Sequence, residues 1–116
     1  MADLNKVMLI GRLTRDPVQS QTSTGAVCCQ FGIAINRKFT SQGEAREEVC
    51  FVDIETWGKQ AESCKQYLST GGQVFVEGRL KFGQWEDRET GRKRTRLLVV
   101  AERVQFLDRM TTNADS

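Results

Sequence analysis

Stretches in which apolar and polar residues alternate make up much of the chain. The clearest is residues 27–36, where Cys29, Phe31, Ile33 and Ile35 alternate with polar or small residues. A period of two places every second side chain on the same face, so this pattern predicts a half-buried β-strand. Apolar or alternating runs predict four more strands, at residues 4–13, 48–57, 73–87 and 93–107.

Between the third and fourth of these strands the period changes. From Ala61 to Leu68, apolar or long side chains recur at positions i, i+3, i+4 and i+7, which predicts an amphipathic helix over residues 59–70. Gly71 and Gly72 follow, and glycine readily adopts the left-handed conformation that ends a helix.

Polar segments separate the strands. Residues 18–26 predict a turn, residues 40–48 a charged connection, and residues 88–92 a hairpin turn that contains a glycine. Gly11 and Gly78 lie inside strands, where glycine often marks a bulge or a bend. The order β-β-β-α-β-β with bending glycines predicts an all-β fold: a five-stranded Greek-key barrel of the OB type, with the helix covering one end and an extended basic hairpin.

Length and composition fit one domain. The chain has 116 residues, of which 39% are apolar and 28% charged, so wholesale disorder is excluded. We expect the domain to cover residues 1–109 and residues 110–116 to form a flexible polar tail. There is no run of 18 apolar residues and no signal-peptide pattern at the start, so we expect a cytoplasmic protein without a membrane partner.

The sequence contains few residues of the types that commonly act in catalysis or bind metals. Histidine is absent, and the sequence contains none of the common nucleotide-binding, metalloprotease or nucleophile-elbow motifs. The cysteines, Cys28, Cys29, Cys50 and Cys64, lack CxxC spacing. We therefore expect no catalytic residue, no metal and no cofactor, and we interpret the cysteines as small buried residues, although spacing alone leaves disulfides open.

Charge is concentrated in the predicted hairpin. The whole chain has a net charge of only +2, yet residues 79–96 hold seven Lys or Arg and three acidic residues. Alternation places Arg79, Lys81 and Trp85 on one face and turns Phe82 toward the core. Cations can follow a phosphate backbone, and aromatic faces can stack on bases of any sequence. A solvated, merely solubilising hairpin is the alternative.

The third predicted strand carries a second pair of outward aromatic residues. Because Ile54 belongs to the core face, Phe51 and Trp57 should point out of the barrel, roughly 20 Å apart at the usual strand rise. Outward aromatics on a sheet are either stacking platforms or a subunit interface. Asp53 and Glu55 share this face and would repel phosphate unless neighbouring cations pair with them.

Several ordered motifs resemble one family. Residues 5–17 (NKVMLIGRLTRDP) are similar to the start of the bacterial and mitochondrial single-stranded DNA-binding proteins. Residues 51–61 (FVDIETWGKQA), residues 67–80 (YLSTGGQVFVEGRL) and the hairpin around Trp85 are similar as well. The resemblance runs in register from about residue 4 to residue 107.

This resemblance implies more than the residue pattern does. The family folds as an OB barrel and binds single-stranded DNA without sequence preference in DNA replication, recombination and repair, in the cytoplasm beside the nucleoid. It usually forms a homotetramer, for instance a dimer of dimers. The family's stacking aromatics match Phe39, Phe51, Trp57 and Trp85. The basic residues along its DNA path match Lys6, Arg12, Arg37, Lys59, Arg79 and Lys81. Strict alternation would turn Phe39 inward, so it must lie past the barrel on a bent strand end.

Two features of the assembly follow as expectations. Apolar strand edges near Val7, Leu9 and Val27 could pair subunits. The family typically ends in a linker and an acidic tip that closes on Pro-Phe and recruits partner proteins; residues 110–116 hold no such tip. Replication and repair proteins are therefore expected as partners only if the native chain has a longer tail.

Two other classes of protein stay compatible with the residues. One is a different OB module, such as a single-stranded RNA binder or a replication-restart factor. The other is a structural assembly protein whose outward aromatics form subunit contacts.

Overall fold

The computed structural model describes residues 2–107, apart from the side chain of Trp85, so the predicted tail at residues 110–116 lies outside the described residues. Within this range there are six strands and one helix. In chain order they are β1 (Val7–Leu13), β2 (Val18–Gln21), β3 (Val27–Ser41), β4 (Glu44–Trp57), α1 (Gly58–Tyr67), β5 (Gln73–Glu86) and β6 (Lys93–Phe106). The helix in the described range is not long and apolar enough to cross a membrane.

Five of the strands close into a barrel. Strand pairing runs from β1 through β5, β6 and β4 to β3, and Arg12 and Leu13 at the end of β1 then pair with β3. The neighbouring strands are antiparallel except β4 and β6, which are parallel. The closed barrel with one helix confirms the predicted OB-type fold.

Alternate positions of the strands fill the interior. Phe31 and Ile33 on β3, Ile54 on β4 and Val76 on β5 are each at most 1% exposed. Burying a side chain of this size stabilises the fold by about 1.5–3 kcal/mol. These residues follow the period of two that the sequence predicts, so the pattern identifies the core face of the central strands correctly.

The helix packs its predicted stripe into the core. Ala61, Cys64 and Leu68 all belong to the buried cluster. The helix ends at Tyr67, earlier than the sequence predicts, because Leu68 already has extended backbone geometry and turns its side chain back into the core. Gly71, with a φ of +88°, lies in the turn that follows.

Two segments that the sequence predicts as a turn and as a charged connection contain strand residues. Residues 18–26 contain β2, which pairs with the start of β3. Residues 40–48 belong to a long hairpin of β3 and β4, closed by Gln42 and Gly43, whose φ values of +53° and +77° suit a tight two-residue turn. The prediction is wrong because the hairpin extends past the barrel, where both of its faces contact water and polar residues give no apolar alternation.

The glycines inside strands allow close backbone approach. Gly78 lies at a β-bulge, and a Cβ there would overlap a backbone oxygen of β6. A Cβ at Gly11 would lie 2.8 Å from a backbone oxygen of β3, near the point where the barrel closes. Beyond Gly78 the β5–β6 hairpin continues to the pair of Glu86 and Lys93, and Gly91 lies in its turn with a φ of +70°, as predicted.

Candidate nucleic-acid interface

The outward face of β4 consists of Phe51, Asp53, Glu55 and Trp57; we call it the β4 face. Phe51 is 73% exposed and Trp57 is 37% exposed. Ile54, on the opposite face of the strand, is 1% exposed. Alternation therefore orients this strand as predicted, and two aromatic rings contact solvent at either end of a pair of carboxylates.

The carboxylate of Asp53 lies between two arginines. Arg15 Nη2 is 3.7 Å from Asp53 Oδ1, and Arg96 Nη1 is 3.8 Å from Asp53 Oδ2. Gly32 lies opposite Asp53 on β3, and a Cβ there would come within 2.6 Å of the Arg15 guanidinium, so the missing side chain makes room for this cation. Exposed ion pairs contribute only about 0–1 kcal/mol to stability, but these two offset the repulsion that the carboxylate would exert on phosphate.

Glu55 is largely buried beneath the β4 face, with 6% of its surface exposed. Trp57 Nε1 donates a hydrogen bond of 2.9 Å to Glu55 Oε1, and Lys81 Nζ donates to the same oxygen at 3.3 Å. Gln30 Nε2 donates to Oε2 at 3.4 Å. This carboxylate thus joins β3, β4 and β5, and it brings the predicted phosphate ligand Lys81 beside the predicted stacking residue Trp57.

Two of the other predicted phosphate ligands lie on the β1 side of the barrel. Lys6 Nζ contacts Glu77 Oε2 at 2.6 Å. This hydrogen bond raises the pKa of the Lys6 ammonium group and lowers the pKa of the Glu77 carboxyl group. Arg12 donates to the carbonyl oxygen of Gly71 at 2.9 Å. Arg12 pairs with Ala34, which pairs with Phe51, so Arg12 lies on the same outward face as Phe51 with β3 between them, whereas Lys6 precedes β1 and contacts Glu77 on β5.

The last three predicted phosphate ligands are Arg37, Arg79 and Lys59. Arg37 pairs with Glu48 at 3.0 Å, and Arg79 pairs with Glu102 at 3.8 Å. Lys59 is exposed in the first turn of α1, two residues after Trp57 in sequence. Its position makes it the predicted ligand nearest along the chain to the indole.

Phe39 lies on the part of β3 that extends beyond the barrel, as the sequence requires. Its ring is half-buried, and the guanidinium carbon of Arg37 lies 4.9 Å from the ring centroid. The register of β3 and β4 places Phe39 opposite Arg46 and therefore on the other face of the hairpin from Phe51. A groove of about 480 Å³ beside it is lined by Lys38, Phe39, Thr40, Ala45, Arg46 and Glu47.

The sequence makes different predictions for Trp85 and Phe82, two aromatic residues of the β5–β6 hairpin. Trp85 pairs with Arg94 in the strand register, but its side chain lies outside the described residues, so its stacking role stays a prediction. Phe82 is 60% exposed, so the prediction that it lies in the core is wrong. Its alternation is as expected, but the hairpin has left the barrel at this point, and the residue opposite, Leu97, is itself 60% exposed.

The cysteines form no disulfide. Cys28, Cys29 and Cys64 are buried thiols, and Cys50 is exposed. Burial raises the pKa of the Cys64 thiol to about 12. Among the residues that the structure describes, no three His, Cys, Asp or Glu side chains come together in a group that could hold a metal ion.

Three side chains of this surface were missed by sequence reasoning. Arg15, Arg96 and Gln30 contact the two carboxylates of the β4 face. The available signal was indirect: two acidic residues between outward aromatics on a surface predicted to bind phosphate require cationic or amide partners. Which residues supply them depends on strand register, which the sequence does not reveal.

A closed five-stranded barrel with one helix, and with outward aromatic side chains beside carboxylates that basic residues pair, is an OB fold. Residues 4–107 match the model of the single-strand binding protein family. The chain belongs to this family.

Curated relatives carry the same family name. The chain is 47% identical over 107 residues to the single-stranded DNA-binding protein of Treponema pallidum, covering 92% of this chain and 60% of that protein. It is 41% identical over 110 residues to the protein of the same name from Helicobacter pylori, covering 94% and 61%. The chain thus spans about 60% of the length of these relatives.

Solved structures share the fold. A deletion mutant of the single-stranded DNA binding protein from Thermus aquaticus is 36% identical, with a TM-score of 0.78 over 90% of this chain and 50% of that chain. The Plasmodium falciparum SSB in complex with single-stranded DNA has a TM-score of 0.84 over 93% of this chain and 98% of that chain. At 23% identity the second comparison shows the fold alone.

Proposed function

We propose that this protein binds and protects single-stranded DNA without sequence preference, in DNA replication, recombination and repair, and that it acts by binding rather than by catalysis. The observation that carries the proposal is the β4 face, where Phe51 and Trp57 are exposed and the carboxylates between them are paired with basic residues. The names of the relatives support the same ligand. With that ligand, the protein would work in the cytoplasm beside the nucleoid.

Base stacking supplies the sequence-independent part of the binding. An exposed ring offers its face to any base, and each stacked base contributes about 1–3 kcal/mol by alanine substitution. Phe51 and Trp57 on the β4 face, together with Phe39 and Trp85 on the two hairpins, are the proposed platforms. Duplex DNA would bind poorly because its bases are already stacked and cannot reach the rings.

Phosphate contacts supply a salt-dependent part. We assign them to Lys6, Arg12, Arg37, Lys59, Arg79 and Lys81. Exposed ion pairs such as Arg37–Glu48 are weak, so a phosphate can replace the carboxylate at small cost. Each neutralised phosphate should lower log K by about 0.7 per tenfold increase in salt concentration.

The outer face of β1 supports a homotetramer. Met8 is 63% exposed and Ile10 is 50% exposed, which is unusual for apolar residues at neighbouring positions of one face. The expected contacts through Val7, Leu9 and Val27 need revision, because those three side chains are partly buried against the core. Light scattering should give a tetramer mass at micromolar concentration, and a monomer mass would contradict this part of the proposal. Replication and repair proteins would join only if the native chain has a longer tail.

The central test is a titration with oligo-dT that follows tryptophan fluorescence. We expect quenching on binding, and Trp57→Ala and Trp85→Ala should each weaken binding by about 1–3 kcal/mol at equal salt. If both variants bind like the parent protein, the stacking model fails. An absence of quenching by nucleic acid would favour the structural assembly protein, and stronger competition by oligo-rU than by oligo-dT would favour an RNA-binding module.

A further inference from the structure

Glu55 is unusual for a strand residue on the outside of a barrel. The residue is 6% exposed, and its partner in the register of β6 is Val100, which is also 6% exposed. Removing a carboxylate from water is costly unless hydrogen bonds compensate for the lost hydration. An apolar side chain would suit this neighbour better, so the acidic residue calls for an explanation beyond packing.

The hydrogen bonds of Glu55 indicate what that explanation is. Oε1 accepts from the indole Nε1 of Trp57 at 2.9 Å and from Lys81 Nζ at 3.3 Å. Oε2 accepts from Gln30 Nε2 at 3.4 Å, so the carboxylate is itself held from β3. Glu55 and Trp57 lie two residues apart on the same face of β4, and the strand fixes the distance between them.

An exposed indole without such a partner can adopt several rotamers, and a base that stacks on it must select one of them. A fixed acceptor for the ring nitrogen removes that freedom before the ligand arrives. The immobilisation cost that binding would otherwise carry is thereby reduced. The same oxygen keeps the ammonium group of Lys81 next to the ring, where a phosphate adjoining a stacked base would lie.

We propose that Glu55 is a positioning residue: its carboxylate, held by Gln30, fixes the indole of Trp57 and the ammonium group of Lys81 in a geometry ready to receive a nucleotide. This inference rests on the proposed single-stranded DNA binding. It assigns to an acidic residue a favourable role on a surface that binds a polyanion.

The decisive experiment compares Glu55→Gln with Glu55→Leu. Both remove one negative charge, so they are matched electrostatically, but only glutamine keeps an oxygen that can accept from the indole. Glu55→Leu should bind oligo-dT about three- to tenfold more weakly than Glu55→Gln at the same salt concentration, as expected for one lost hydrogen bond. Glu62→Gln on the exposed surface of α1 is the control for charge removal, and thermal melting checks that each variant is folded.

A second pair of variants isolates the contact with the indole. In a Trp57→Phe background the ring has no N–H donor. The leucine and glutamine variants at position 55 should then bind oligo-dT within about twofold of each other, because glutamine no longer accepts a hydrogen bond from residue 57. An equal difference in both backgrounds would mean that residue 55 acts through the fold, and the proposal would be overturned. Equal binding of the two variants in the Trp57 protein would overturn it as well.

Two measurements without DNA separate this proposal from the proposed function. In the parent protein the indole N–H proton of Trp57 should exchange with water more slowly than that of free indole, and free-indole exchange would overturn the proposal without any variant. In a Trp85→Phe protein, where Trp57 is the single remaining tryptophan of the two in the sequence, Glu55→Leu should lower the fluorescence anisotropy and Glu55→Gln should preserve it. If these results hold but oligo-dT does not bind the parent protein, the positioning contact stands and the proposed function fails.

Discussion

Replacing Phe51 by alanine removes an aromatic ring that the fold itself hardly uses. The side chain is 73% exposed, so most of its surface already contacts water in the folded protein. Its partner across the strands is Ala34, which offers little surface for packing. We therefore expect the free energy of unfolding to change by no more than about 0.5 kcal/mol, the usual range for exposed positions.

The effect on DNA binding should be much larger. A ring that stacks on one base contributes about 1–3 kcal/mol, which corresponds to a roughly 5- to 150-fold lower association constant. No charge is removed, so the slope of log K against log salt should stay the same. A loss of affinity with an unchanged slope distinguishes stacking from phosphate contact.

The assay is fluorescence anisotropy of a labelled oligo-dT at several salt concentrations, with thermal melting to confirm folding. Phe82→Ala is the matched control, because Phe82 is also a phenylalanine on an extended strand and is 60% exposed, but it lies on the other face of its hairpin from Lys81. We expect Phe82→Ala to bind like the parent. If Phe51→Ala binds like the parent protein, or if both variants lose affinity equally, the assignment of the β4 face as the binding surface is refuted.

Three further predictions concern stability and reactivity. Gly78→Ala should destabilise the fold by about 1–3 kcal/mol in denaturant unfolding, because the new Cβ would overlap a backbone oxygen of β6. Gly83→Ala on the same strand, where the nearest atom would be 3.6 Å away, is its control, and an equal loss there would contradict the steric explanation. In the native protein, dithionitrobenzoate should react with Cys50 and not with the other three cysteines, which are buried; rapid reaction of all four without denaturant would contradict the described burial. Hydrogen bonds from the backbone and side chain of Thr70 lower the pKa of Asp16, so this contact stabilises the fold above the unfolded-state pKa near 3.9 and is lost as the pH falls through the lower folded-state pKa. The melting temperature of Asp16→Asn should accordingly lie below that of the parent near pH 6 and approach it below about pH 4, and a constant difference across that range would contradict the assignment.

Alternation predicts the orientation of side chains only where the barrel covers one face of a strand. On β4 it correctly turns Phe51 and Trp57 to solvent and Ile54 to the core. On β5 the same rule predicts a buried Phe82, but the strand continues past the barrel and nothing in the described chain covers that face. The sequence encodes which side chains share a face, whereas the length over which a face is covered depends on where the strands leave the barrel.

The partners of the acidic residues show a second limit. Glu55 is bound by Gln30 and Lys81, which are 25 and 26 residues away in sequence. The sequence alone predicts that such partners are needed on an anion-binding surface. Their identity follows from the register of β3, β4 and β5, and a shift of one residue would turn every one of these side chains to the other face.

The position of β6 in the sheet has a consequence for how the chain reaches its native state. β6 is the last strand of the described residues, yet it lies inside the sheet, paired with β5 along nearly its whole length and with β4 on its other side. In a polypeptide emerging from the ribosome, the edges of β4 and β5 that pair with β6 would therefore stay unpaired until residues 93–106 have been synthesised. The barrel can therefore close only after β6 has left the ribosome, and nascent chains stalled before β6 should be the species that chaperones capture.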